Sequence, residues 1–237
     1  MAVLYVLATV ATLFAGWRAA RRVRFFLHVF QLETYKPSRF WTWLRKHARS
    51  VLVGASHLAG GTLLVFAAVA FSFLPAFWVA LVLLPAWTLA FVSSRRYRSD
   101  REKKPLAFTP RVARLAVAAG TLTLLPVLAG GYVGWQSGAL SGLFWYLLGF
   151  FVADAGAPLW VLLGAYLMRP VERAIQNGFK RRARATLDAR RDLTVVGITG
   201  SYGKTSTKFI VAELLQQKYN VLATPRSYNT PMGICLV

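Results

Sequence analysis

The chain has 237 residues, 56% of them apolar and 14% aromatic, with 29 Lys+Arg against 8 Asp+Glu for a formal charge of +21. That apolar share lies above the roughly 45–50% of a soluble domain, and it excludes disorder, which combines high charge with low hydrophobicity. A lone cysteine, Cys235, excludes a disulfide framework and a Cys-based zinc site, leaving a membrane protein with basic flanks or a basic nucleic-acid binder.

Met1–Trp17 carries no charge. It predicts a short first span, because a signal peptide would need a basic n-region and a small-residue cleavage site. Arg18–Arg49 follows with nine basic residues among Phe25, Phe26, Trp41 and Trp43. Such a mixture fits helices lying in the headgroup region or ordinary topology signals with aromatic anchors. Val51–Val92 has no Lys, Arg, Asp or Glu, enough for two passes of about 20 residues with a break near Ser72–Pro75. Arg95–Arg114 holds eight basic residues, and a fourth apolar block runs from Leu115 to Val133. The fifth block, Leu143–Met168, contains one acid, Asp154, and Arg169–Arg191 adds eight more basic residues.

The connections at Ser72–Pro75 and Tyr132–Gly142 contain no basic residue. Alternation of basic and neutral connections is the positive-inside pattern. It predicts an α-helical membrane domain over residues 1–168 with about five transmembrane helices, the N-terminus outside and everything after Met168 in the cytoplasm. A nucleic-acid binder has no reason to spare alternate connections, so membrane lipids are the expected partner and nucleic acid is not. An acid inside a span is costly and often functional; Asp154 is either that or a polar group paired within the bundle, and no basic partner for it is visible within the spans. His28, His47 and His57 have no metal-ligand spacing and are expected to be structural.

Arg169-Pro170 is expected to end the last span. Residues 169–192 then predict a basic amphipathic connector helix, with Val171, Ile175, Phe179, Ala183 and Leu187 recurring every four residues. Residues 193–237 predict the start of an α/β domain. Leu193–Ile198 suits a buried parallel strand, Gly200–Gly203 a turn, and Lys204 opens a helix with Phe209, Ile210, Leu214 and Leu215 on one buried face. Val221-Leu222-Ala223 begins a second strand, completing a βαβ unit. Glycines let backbone N–H groups converge on oxyanions, and the helix N-terminus favours negative charge. Lys204 would reach the β- and γ-phosphates, and the Thr205 hydroxyl would bind Mg²⁺. The general phosphate-loop pattern requires glycine where Ile198 stands; the glycines here are Gly197, Gly200 and Gly203.

That departure resembles a particular family. Gly197-Ile198-Thr199-Gly200-Ser201-Tyr202-Gly203-Lys204-Thr205-Ser206-Thr207 is similar to the ATP-binding loop of the Mur ligases, the ATP-dependent amide ligases of peptidoglycan precursor synthesis. Tyr219–Gly233, with Pro225, Asn229 and Gly233, resembles the MurF branch, which joins D-alanyl-D-alanine to the UDP-N-acetylmuramoyl tripeptide. The resemblance covers Leu193–Val237 and implies ATP and Mg²⁺ as cofactors. It assigns Gly200, Ser201, Tyr202, Gly203, Lys204, Thr205 and Ser206 to the nucleotide, Lys204 to catalysis and Thr205 to the metal. Ser206 and Thr207 also serve the helix N-terminus, and Asn229 is a candidate for the substrate side.

The implied function is an ATP-dependent carboxylate–amine ligase on the inner face of a bacterial membrane. In the family's chemistry a carboxylate attacks the γ-phosphate to give an acyl phosphate, and an amine displaces the phosphate. The substrates would be a cell-wall precursor or other carboxylate and an amino acid or dipeptide amine. The competing expectation is a phosphate-loop module for regulation or transport without ligation; another is an anchor alone. MurF enzymes carry a soluble UDP-binding domain where this chain has apolar spans. The chain also stops one strand and a turn into the ATP domain, which suggests a truncated and inactive piece.

Overall fold

Apolar stretches rich in Ala, Leu and Val, with few helix breakers, form long helices here. The computed structural model describes residues 2–51, 54–92, 105–190, 192–225 and 231–235. Its elements are α1 (Ala2–Leu32), α2 (Pro37–Lys46), α3 (Ala48–Val51), α4 (Ala55–Phe73), α5 (Ala76–Val92), α6 (Pro110–Gln136), α7 (Gly138–Ala155), α8 (Ala157–Asp188), α9 (Lys204–Gln216) and α10 (Pro231–Ile234). The chain divides into two compact units, Met1–Arg169 and Pro170–Val237.

In the first unit, α1 does not stop at Trp17 but continues to Leu32. Alanine and arginine are good helix formers, and Arg18 and Arg22 turn inward, 3% and 0% exposed. The chain reverses after α1 through Thr34 and Tyr35, both at φ 57°. Helix α2 then lies back on α1 by inserting Phe40 and Leu44, with the Phe40 ring 5.4 Å from that of Phe30. Two apolar clusters result. One gathers Phe26, Phe30, Phe40, Leu115 and Val161; the other gathers Ala11, Leu64, Leu83, Trp87 and Leu147.

Helices α6 and α7 form a tightly packed pair. A Cβ added at Gly134 would lie 2.7 Å from the Gly142 carbonyl oxygen, and one added at Gly142 would lie 2.7 Å from that of Gly134. Only hydrogen side chains permit this approach, the small-residue contact by which apolar helices associate.

Among the described residues, the five expected passes reduce to three helices long and apolar enough to cross a membrane: Ala2–Leu32, Ser56–Phe73 and Pro110–Gln136. A fourth is counted if α7 and α8, bent by 68° about Gly156, form one broken span. Helix α5 is short, with Pro85 inside it. The bend has a local cause: Pro158 has no N–H to donate and suits a helix's first turn. The Trp160 indole donates across the bend to the Ala153 carbonyl at 3.1 Å. By contrast α8 runs through Pro170 to Asp188 without ending at Arg169.

The second unit corrects the expected α/β class. Among the described residues there is no strand, no parallel sheet and no βαβ unit. Residues 193–198 and 221–223 make no ladder hydrogen bonds. A parallel strand is stable when both faces are covered, whereas Val195 is 71% and Val196 60% exposed. The expected buried face of α9 is likewise open: Phe209, Ile210 and Leu214 are exposed, and Ala212 is its buried residue.

Candidate functional site

The glycine turn sits directly before α9. Gly203 adopts φ 76°, left-handed backbone in which a Cβ is strained. It acts as the N-cap, its carbonyl accepting from the Thr207 N–H at 2.8 Å. Lys204 is the first helical residue, with Thr205 and Ser206 beside it in the first turn, and that turn contains no acid. Gly200, Ser201, Tyr202, Gly203, Lys204, Thr205 and Ser206 are all solvent-exposed.

The Lys204 ammonium folds back into the turn, donating to the Gly200 carbonyl and, at 3.4 Å, to the Ser201 carbonyl. A cation held over carbonyls at a helix start lies where an incoming oxyanion would find both the ammonium and backbone N–H groups. The structure thus places the seven expected residues along one continuous turn, while Asn229 lies outside the described residues. Sequence reasoning missed Lys208. One turn beyond Lys204, its Nζ donates to the Thr224 carbonyl at 2.5 Å, tying α9 to the segment after it.

A second polar centre lies inside the first unit. Asp154 is 1% exposed, and its Oδ2 accepts from Arg18 Nε at 3.0 Å while standing 3.0 Å from His57 Nε2. Arg18 also donates to the Ser56 hydroxyl at 2.7 Å, and the nearby Arg22 donates to the Val51 carbonyl at 3.1 Å. Asp154 therefore has basic partners after all, and His57 is one of them. In chain order Arg18, Ser56, His57 and Asp154 each fall between a residue of one apolar cluster and a residue of the other. By composition Arg18 falls in the connection beyond the first span; the longer α1 carries it into the bundle.

Comparison with known proteins bears on the C-terminal turn. Residues 198–237 match the Mur ligase middle domain. Over 41 residues the chain is 54% identical to a UDP-N-acetylmuramoyl-tripeptide--D-alanyl-D-alanine ligase of Mycobacterium leprae. It is 51% identical over the same length to the proteins of that name from Mycobacterium bovis and Mycobacterium tuberculosis. The match takes in 17% of this chain and 8% of each relative, so the chain spans only a small part of the length of these relatives. No solved structure matches it significantly. From residue 198 onward the chain is therefore similar to the Mur ligase middle domain, and most like that of the MurF-type relatives named above.

Proposed function

We propose that this chain belongs to a membrane-anchored, ATP-dependent carboxylate–amine ligase of the Mur type, acting on precursors of peptidoglycan or the cell envelope. The observation that carries this is the middle-domain match at residues 198–237, with Gly203-Lys204-Thr205 placed at the start of α9. Phosphoryl transfer asks a protein mainly for positioning and charge neutralisation. The backbone of 200–206 holds the phosphate oxygens, and Lys204 turns from its loop carbonyls to the β- and γ-phosphates. The Thr205 hydroxyl supplies a hard oxygen donor for Mg²⁺, which neutralises phosphate charge when bound. A substrate carboxylate takes the γ-phosphoryl group, releasing ADP, and an amine then displaces phosphate to form the amide. Asn229 is placed on the substrate side by resemblance alone.

Replacing Lys204 by Ala tests the nucleotide site. In the complete ligase, Mg-ATP affinity or turnover is expected to fall at least about tenfold, roughly 1.4 kcal/mol. Unchanged ATP binding and hydrolysis would remove Lys204 from the site.

Anchoring is supported by the spanning-length helices and by their lipid-like surface, including Leu13, Val65, Val117 and Leu128, each more than half exposed. On this reading the basic segments face the cytoplasm and the α6–α7 turn faces outward. A cysteine introduced at Ser137, with Cys235 replaced by Ser, is expected to react with an impermeant thiol reagent in intact cells. Reaction at a cysteine introduced at Ser99 instead would reverse the orientation.

A further inference from the structure

Past Trp17, the outward face of α1 changes character. Before it the exposed side chains are apolar, as at Val3, Tyr5, Val6 and Leu13; after it they include Arg21 and Arg24. The α2 helix packed against this second half presents Arg39, Arg45 and Lys46 on its open side, with Lys36 at its N-cap. All six cations are exposed, and among the described residues none has a carboxylate within ion-pair distance. The chain offers little to neutralise them: Glu33 is the only acid between Met1 and Ser99.

Two of the six stack on indoles. The Arg21 guanidinium lies 4.6 Å from the centre of the Trp17 ring, and that of Arg45 lies 5.3 Å from Trp41. An indole beside a guanidinium is the pairing expected at a membrane–water boundary, where one end of each side chain is wet and the other apolar. Concentrated positive charge without internal partners, set at the end of an apolar helix face, complements a negatively charged headgroup layer.

We propose that this face, formed by Arg21, Arg24, Lys36, Arg39, Arg45 and Lys46, binds the phosphates of anionic phospholipids and selects them over zwitterionic ones. The proposal rests on the membrane reading above and adds to it a lipid class and the residues that recognise it. Arg39 also donates to the Thr34 hydroxyl at 3.4 Å, a weak bond that leaves its remaining donors for a phosphate. Trp17 and Trp41 fix the depth at which the guanidiniums sit.

The test uses the whole chain with Cys235 replaced by Ser, reconstituted into phosphatidylcholine vesicles. One fluorescent probe is attached through Thr42→Cys on the open side of α2, and in a separate sample through Leu128→Cys on the apolar face of α6. Vesicles contain equal fractions of brominated phosphatidylglycerol or brominated phosphatidylcholine as quencher. At the Thr42 probe the anionic lipid is expected to quench at least about threefold more strongly, with the preference fading as salt screens the charges. At the Leu128 probe both lipids should quench alike. Combining K36Q, R39Q, R45Q and K46Q should bring the Thr42 ratio close to one while leaving Leu128 quenching unchanged. Equal quenching at Thr42 in the unaltered chain, or a preference insensitive to salt, overturns the proposal. Loss of the preference on adding RNA also overturns it, in favour of a nucleic-acid face. Absence of quenching at both probes instead defeats the membrane reading itself.

Discussion

Asp154→Ala is expected to destabilise the Met1–Arg169 unit by about 3–5 kcal/mol, the range for breaking a buried ion pair by removing one partner. The variant takes the carboxylate away from Arg18 and His57 at once, both within 3.0 Å of the same oxygen. For a unit of this size the loss corresponds to roughly 6–20 °C in melting temperature. Asp154→Asn keeps an acceptor and should cost less. The informative partner experiment joins Asp154→Leu with Arg18→Met, since replacing a buried pair by apolar residues is often neutral or stabilising. Thermal unfolding in detergent measures all three. A loss below about 1 kcal/mol for Asp154→Ala, the value of an exposed pair, would show that these groups are solvated rather than buried.

Gly142→Leu is expected to cost about 1–3 kcal/mol or more by overpacking and to separate α6 from α7. Even the first carbon of the new side chain meets the Gly134 carbonyl at 2.7 Å. That contact is backbone, which cannot swing aside as a side chain would. Leucine at Gly131, which has open space around a built Cβ, is the matched control on the same pair of helices. Equal losses at the two positions, followed by unfolding or by cross-linking across the hairpin, would remove close backbone approach as the cause.

The apolar helices were legible because long uncharged blocks leave few alternatives to a helix. Their ends were not. Arginines look like punctuation in composition, yet Arg18 and Arg22 extend α1 because inward-facing partners exist on α3, α4 and α7, far away in sequence. Pro170 looked like a stop, but losing one hydrogen bond does not end a helix whose other bonds continue. The α6–α7 contact was hidden in scattered glycines whose importance depends on register. In the second unit the motif was legible as chemistry: Gly203, Lys204 and Thr205 do stand at a helix start. The parallel sheet expected there does not follow from short apolar runs, since a β-branched stretch such as Leu193–Ile198 says nothing about what would cover it.

The inward arginines of α1 also bear on how the bundle is assembled. Burying a guanidinium inside the bundle is costly until it meets its partner, and Asp154 is made 136 residues after Arg18. At synthesis rates of about 5–20 residues per second, that is a delay of roughly 7–27 s. During that interval α1 either waits at the boundary or shelters against the insertion machinery, and its final seating is postponed until α7 emerges. Assembly of this unit is thereby timed from its far end: the first helix made is among the last to settle.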